Sequence, residues 1–295
     1  MRSPFGPCWL ASSLVPAGPV GIVVMTRTAF QGERGAFSED AALRFFGDVE
    51  LLPCRTLIDV FEAVSQDRAG SGMVPVENSQ AGSINETYDL LLRYDLNIFG
   101  EIALEVNHCL LARPGDTLDS IRTVYSHPQA LAQCEEFLRK LNAEIVPTYD
   151  TAGSAKLICE KGLVNCAAVA SKRVAGIYRM QVLAEDIQTI ANNYTKFFAI
   201  SKEKAGYGGE NKTSLVFATK NAPGALYSCL GAFATRGINL TKLESRPSRS
   251  RPWEYVFYVD LEGHMEDEIC GQALRDLGES TSFLKILGSY PKAVT

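Results

Sequence analysis

The rhythm of apolar and polar positions divides the chain into two regions. From residue 28 to about 201, short runs with the two-residue period of a strand alternate with runs in which apolar residues recur every three or four positions. Strands are predicted at 28–30, 49–52, 73–76, 98–111, 123–125, 144–147 and 167–170, and helices at 36–46, 57–66, 84–94, 128–141 and 152–161. This is the pattern of an α/β architecture. The apolar run 98–111 is long for one strand, so it is expected to leave one sheet and enter another, which gives two lobes with a cleft between them.

Residues 202–212 are rich in glycine and charge and predict a linker. After it the order is strand 213–219, helix 224–235, strands 238–245 and 253–261, helix 266–277 and strand 283–289. That βαββαβ order defines a ferredoxin-like unit. Before residue 26, seven Pro and Gly residues interrupt an apolar stretch that has only Arg2 for positive charge. The first 25 residues are therefore expected to be a disordered extension rather than an export signal, with Met25 as a candidate natural start.

Composition narrows the chemistry. A hydrophobic content of 46% over 295 residues suits two packed domains. The net charge of −5 provides no basic field for a nucleic acid or an anionic membrane. No apolar run reaches the roughly 20 residues of a membrane span. Eight scattered cysteines without a Cys-x-x-Cys pair, and three distant histidines, suit a reducing cytoplasm and supply no metal-ligand spacing. No metal or nucleotide cofactor is expected.

Four segments of the first region each run from a strand end through a small polar residue into a helix: around Ser38, Asn78-Ser79, Ser126-His127 and Thr151. Free backbone N–H groups and the helix dipole make such ends good carboxylate sites, although each alone is also an ordinary cap. Glu77 and Asn78 emerge from an apolar run, where burying them unpaired would be costly. Gln133 lies beside the apolar stripe of its predicted helix and is equally suited to the cleft or to packing. Strand alternation points Thr195 and Phe197 to one face and Lys196 and Phe198 to the other. His108, within an apolar strand, reads as a hydrogen-bonded core residue.

Taken in order, GERGAFSEDAA, VPVENSQAGSINETYDLL, YSHPQALAQCEEFL, DTAGSAKLI, AAVAS and NNYTKFF resemble the prephenate dehydratase family. NAPGALY and GINLTKLESRPSRSRPWEYVFYVD resemble an ACT domain. The resemblance implies a two-lobed catalytic region over residues 26–201, similar to periplasmic-binding-protein lobes, and a regulatory domain over 213–291. It implies decarboxylating dehydration of prephenate to phenylpyruvate, or of arogenate to phenylalanine, without a cofactor. By resemblance Thr195 is the catalytic threonine, Glu77, Asn78, Ser126 and Gln133 belong to the active site, and Ser38, Thr151, Lys196 and Phe197 contact substrate. The family's Thr-Arg-Phe reads Thr195-Lys196-Phe197 here, and lysine lacks the bidentate fork of arginine. The resemblance also implies phenylalanine as effector, held by Gly224, Ala225, Leu226, Asn239, Leu240, Glu244, Ser245, Arg246 and Pro247, and a homodimer or homotetramer. A noncatalytic small-molecule sensor on the same architecture is the rival reading.

Overall fold

The computed structural model describes residues 27–247 and 255–293. The expected extension of residues 1–25 and the candidate start at Met25 lie outside the described residues. Among those described, no helix is long and apolar enough to cross a membrane.

The first lobe is a mixed sheet. Strands Arg27–Gln31, Glu50–Cys54 and Ser71–Asn78 run parallel, and Tyr194–Ser201 lies antiparallel between Ser71–Asn78 and Asn97–Glu105. Helices Phe37–Phe46, Leu57–Ser65 and Asn85–Arg93 cover it. Their starts differ in chemistry: Thr56 closes a reciprocal capping box with Asp59, whereas Ala36 and Ile84 cap without a side-chain bond. Strand Ser71–Asn78 is the buried centre of this sheet, which explains its near-continuous apolar run.

The second lobe is a five-stranded sheet in the order Gln181–Ala184, Cys109–Ala112, Cys166–Ala170, Thr123–Ser126 and Glu144–Pro147. The predicted run 98–111 is thus two strands, Asn97–Glu105 and Cys109–Ala112, one in each lobe. The predicted helix 128–141 is likewise two pieces, Pro128–Gln133 and Glu135–Leu138, broken at Cys134, whose ψ of 14° leaves the helical range. Helix Lys172–Tyr178 and strand Gln181–Ala184 were not foreseen.

The chain passes between the lobes twice, at residues 106–108 and 185–193, and the two passages are laced together. Val106 N donates to the Asn193 carbonyl at 2.7 Å, and Ile187 N to the His108 carbonyl at 3.0 Å.

The C-terminal domain has the predicted βαββαβ order, with a four-stranded sheet ordered Leu240–Pro247, Tyr255–Glu262, Asn211–Ala218 and Phe283–Pro291. Its first strand begins inside the expected linker, and all eight of its residues are buried. They are buried because this domain does not stand apart: Val216, Tyr258, Leu287 and Tyr290 share one apolar core with Val60, Leu91, Ile98 and Phe198 of the first lobe. Lys212 crosses the junction to Glu101 at 2.9 Å, and Asp260 lies 3.6 Å away. A Cβ at Gly288 would land on the Ile98 carbonyl, so only glycine permits this approach. Gly288→Ala is expected to lower stability by about 2 kcal/mol, as over-packing does. A thermal melt matching that of the parent would show that the junction opens without cost.

Candidate functional site

A cleft of about 290 Å³ opens between the lobes, at the small end of the range for small-molecule sites. All four polar helix entrances converge on it: Ala36, Phe37 and Ser38 from the first, Asn78, Ile84 and Glu86 from the second, His127, Gln129 and Ala130 from the third, Asp150 and Thr151 from the fourth. The lobes meet around it. Glu33 N donates to Asp150 Oδ2 at 3.1 Å, Tyr149 OH to Glu33 Oε1 at 3.1 Å, and Ser171 Oγ to the Gly35 carbonyl at 3.1 Å. Lys156 Nζ reaches Glu33 Oε2 at 2.9 Å.

At its base Asn78 is the organising side chain. Its Oδ1 accepts from the backbone N–H groups of Gln80 at 3.1 Å and Ala81 at 3.0 Å, groups that can only donate, so the amide orientation is fixed. The Nδ2 group therefore faces Asn193 Oδ1 at 2.7 Å, the Tyr194 carbonyl at 3.1 Å and Thr195 Oγ1 at 3.0 Å. Thr195 Oγ1 accepts, and its own hydrogen stays available to the cleft. Gln133 Nε2 donates to Asn78 Oδ1 at 3.3 Å across the lobe boundary.

Antiparallel pairing sets Thr195 opposite Asn78 and Lys196 opposite Glu77. As alternation predicts, Thr195 and Phe197 line the cleft, while Phe198 sits in the core behind the sheet. Lys196 and Glu77 do not line it; they pair with each other at 3.7 Å. The pleat turns neighbouring side chains to opposite faces, which sets Glu77 and Lys196 on the side away from Asn78 and Thr195. Ser126 is also elsewhere: fully buried, its hydroxyl donates to the Val169 carbonyl at 2.6 Å. Ser38, Thr151, Gln133 and Phe197 do line the cleft.

Among the described residues lining the cleft there is no lysine or arginine. A carboxylate there would meet backbone N–H groups at helix starts, the polar groups of Ser38, Gln129 and Thr151, and two imidazoles. Burial holds both His108 and His127 below the usual histidine range, which favours their neutral forms. His127 Nδ1 accepts from Gln129 N at 3.2 Å, so its hydrogen is on Nε2. Burial raises the Asp150 pKa, although N–H groups of Glu33, Gly153 and Thr151 pull the other way.

The predicted effector residues lie at two places. Gly224, in the left-handed region at φ 79°, caps the helix that begins at Ala225 and Leu226. Leu240 begins a strand of the regulatory sheet, and Asn239 donates to Glu262 Oε2 at 3.1 Å. Glu244 and Arg246 reach the catalytic lobe. Ser83 Oγ donates to Glu244 Oε2 at 2.5 Å, Lys242 Nζ lies 3.0 Å from Glu244 and 3.4 Å from Glu77, and Arg246 bonds the Asn85 carbonyl at 3.2 Å. Ser245 and Pro247 belong to the same strand, opposite Phe257 and Tyr255. Lys242 was not singled out from the sequence, because nothing local marks a strand lysine as crossing a domain boundary.

Two family models match the chain: prephenate dehydratase over residues 28–205 and the ACT domain over 213–279. The chain is 46% identical over 280 residues to arogenate dehydratase/prephenate dehydratase 2, chloroplastic, of Arabidopsis thaliana, covering 91% of this chain and 74% of that protein. Its fold matches a prephenate dehydratase from Arthrobacter aurescens in complex with L-Phe, with a TM-score of 0.82, 33% identity, and 90% and 89% of the two chains covered. It matches equally, at 36% identity and covering 90% and 98%, a structure described as a novel type of quorum quenching acylase. With its two-lobed α/β region and C-terminal regulatory sheet, the chain belongs to the prephenate dehydratase family and carries an ACT domain.

Proposed function

We propose that this chain removes water and carbon dioxide from prephenate or arogenate, giving phenylpyruvate or phenylalanine. The observation that carries the reading is the hydroxyl of Thr195, held as an acceptor by Asn78 so that its hydrogen faces the cleft. As the ring carboxylate leaves as CO2, its bonding electrons enter the ring and expel the hydroxyl. Thr195 donates a hydrogen bond to that departing oxygen, which leaves as hydroxide and takes a proton from solvent to become water. Aromatisation drives the step, so positioning matters more than a strong acid. Ser38, Thr151 and the helix starts around them hold the carboxylates by dipoles rather than by a fixed cation. Lys196 acts outside the cleft, so its replacement of the family's arginine leaves substrate contacts unchanged.

Phenylalanine serves as effector at the ACT domain, a reading supported by the L-Phe complex of the Arthrobacter aurescens relative. A second copy of the chain pairs with the ACT sheet, whose Leu243 and Tyr255 are exposed. The seven described cysteines are unpaired, which accords with the cytoplasm. Turnover of both ring acids, assayed with and without phenylalanine, tests these assignments together. The expected result is aromatic product that falls as phenylalanine rises. Release of an acyl chain from an acyl-amide substrate, with both ring acids untouched, would replace the reading with the acylase activity.

A further inference from the structure

The sequence marks His108 as a core residue, and the structure buries it to 2% exposure, yet its position is not that of an ordinary packing group. It ends the first passage between the lobes, and its backbone N–H is held by Gln188 Oε1 of the second passage at 2.9 Å. The side chain lines the cleft, with the Phe37 ring edge-on at 5.8 Å. Its Nε2 lies 2.9 Å from Gln133 Oε1.

The hydrogen positions along this line follow from the anchored end. Backbone donors fix Asn78 Oδ1, so Gln133 must present its Nε2 hydrogens to that oxygen and its Oε1 to the histidine. His108 Nε2 must then carry a hydrogen. Its Nδ1 is buried without a partner, so it has no acceptor for a second one. The line His108–Gln133–Asn78–Thr195 therefore runs in one direction and ends at the acceptor face of the reacting hydroxyl.

We infer that His108 is a positioning residue for the proposed reaction: it fixes the Gln133 amide, which holds Asn78, which aims Thr195. This role rests on the dehydratase reading above. A residue acting through another lowers the rate without touching substrate, so its removal reduces kcat more than it alters KM. It also couples to its partner, so the two deletions do not multiply.

The test uses the full chain with prephenate and arogenate, comparing the parent with His108→Leu, His108→Gln, Gln133→Leu and the double variant. His108→Leu is expected to lower kcat by about 30-fold with KM within about threefold, as loss of a supporting partner does. His108→Gln, which keeps a donor near Nε2, restores most of the rate. The double variant is no slower than Gln133→Leu. Losses that multiply, or a glutamine variant as slow as the leucine one, overturn the assignment. Nitrogen-15 spectra of histidine-labelled parent protein give a readout independent of any variant's folding: the Nε2–H tautomer is expected, and an Nδ1–H tautomer overturns the assignment. A parent chain that leaves both ring acids intact removes the dehydratase reading itself, whereas the tautomer result still decides whether the directed line exists.

Discussion

Thr195→Ala is expected to lower turnover by about three orders of magnitude while leaving the fold intact, within the range for a preorganised hydrogen-bond donor to developing negative charge. The fold should survive because deleting the hydroxyl strands no partner: Asn78 Nδ2 keeps Asn193 Oδ1 and the Tyr194 carbonyl. Thr195 is only half-buried, and its backbone remains paired on both sides in the sheet. The stability cost is that of one hydrogen bond, about 1 kcal/mol. Thr195→Ser retains the hydroxyl and should retain most of the rate, less what the freer rotamer loses. Steady-state kinetics beside a thermal melt checks both halves. An alanine variant within tenfold of the parent would remove this hydroxyl from the chemistry.

The second large effect concerns the junction between the catalytic and regulatory domains. Lys212→Met should destabilise the protein by about 3–5 kcal/mol, the usual cost of breaking a buried ion pair from one side. The ammonium and both carboxylates it serves, Glu101 and Asp260, are each about 5% exposed. Removing the cation leaves two carboxylates in the apolar seam. Asp260 keeps a hydrogen bond from Ser214 at 2.6 Å, which itself accepts from Tyr290 at 2.7 Å, but Glu101 loses its principal partner. The paired change Glu101→Leu with Lys212→Met should recover part of the loss, because Glu101 is no longer stranded while Asp260 still lacks its cation. Urea unfolding measures it. A single variant less than about 1 kcal/mol below the parent would mean that water reaches the seam.

Most of the fold was legible because its elements bury one face and alternate in period. Helix Thr151–Glu160 carries its own cap, Asp150, which accepts from Gly153 N at 2.9 Å, and strand Cys166–Ala170 is apolar throughout. Helix Lys172–Tyr178 escaped notice because seven residues with a glycine and a single buried side chain show no stripe. The break at Cys134 escaped because both halves of the helix present apolar residues to the same core. In the site, the polar segments stood out in the chain as helix entrances, whereas Thr195 was marked only by the family resemblance. The faces of Glu77 and Lys196 are set by pairing between strands more than a hundred residues apart, and the Ser126 hydroxyl is taken by a carbonyl 43 residues away. His108 was read correctly as buried, but only the meeting of the two inter-lobe passages places it against Gln133.

The paired strands that carry Asn78 and Thr195 carry Glu77 and Lys196 one step further along, facing the regulatory domain. A peptide unit is planar and stiff, and at Glu77 and Asn78 the strand is paired on both sides, so a displacement of one residue's backbone carries the other's with it. Lys242 holds Glu77 from the regulatory sheet. A tilt of that sheet would therefore be delivered to the leaving oxygen by leverage, over a single peptide unit, with no corridor of side chains in between.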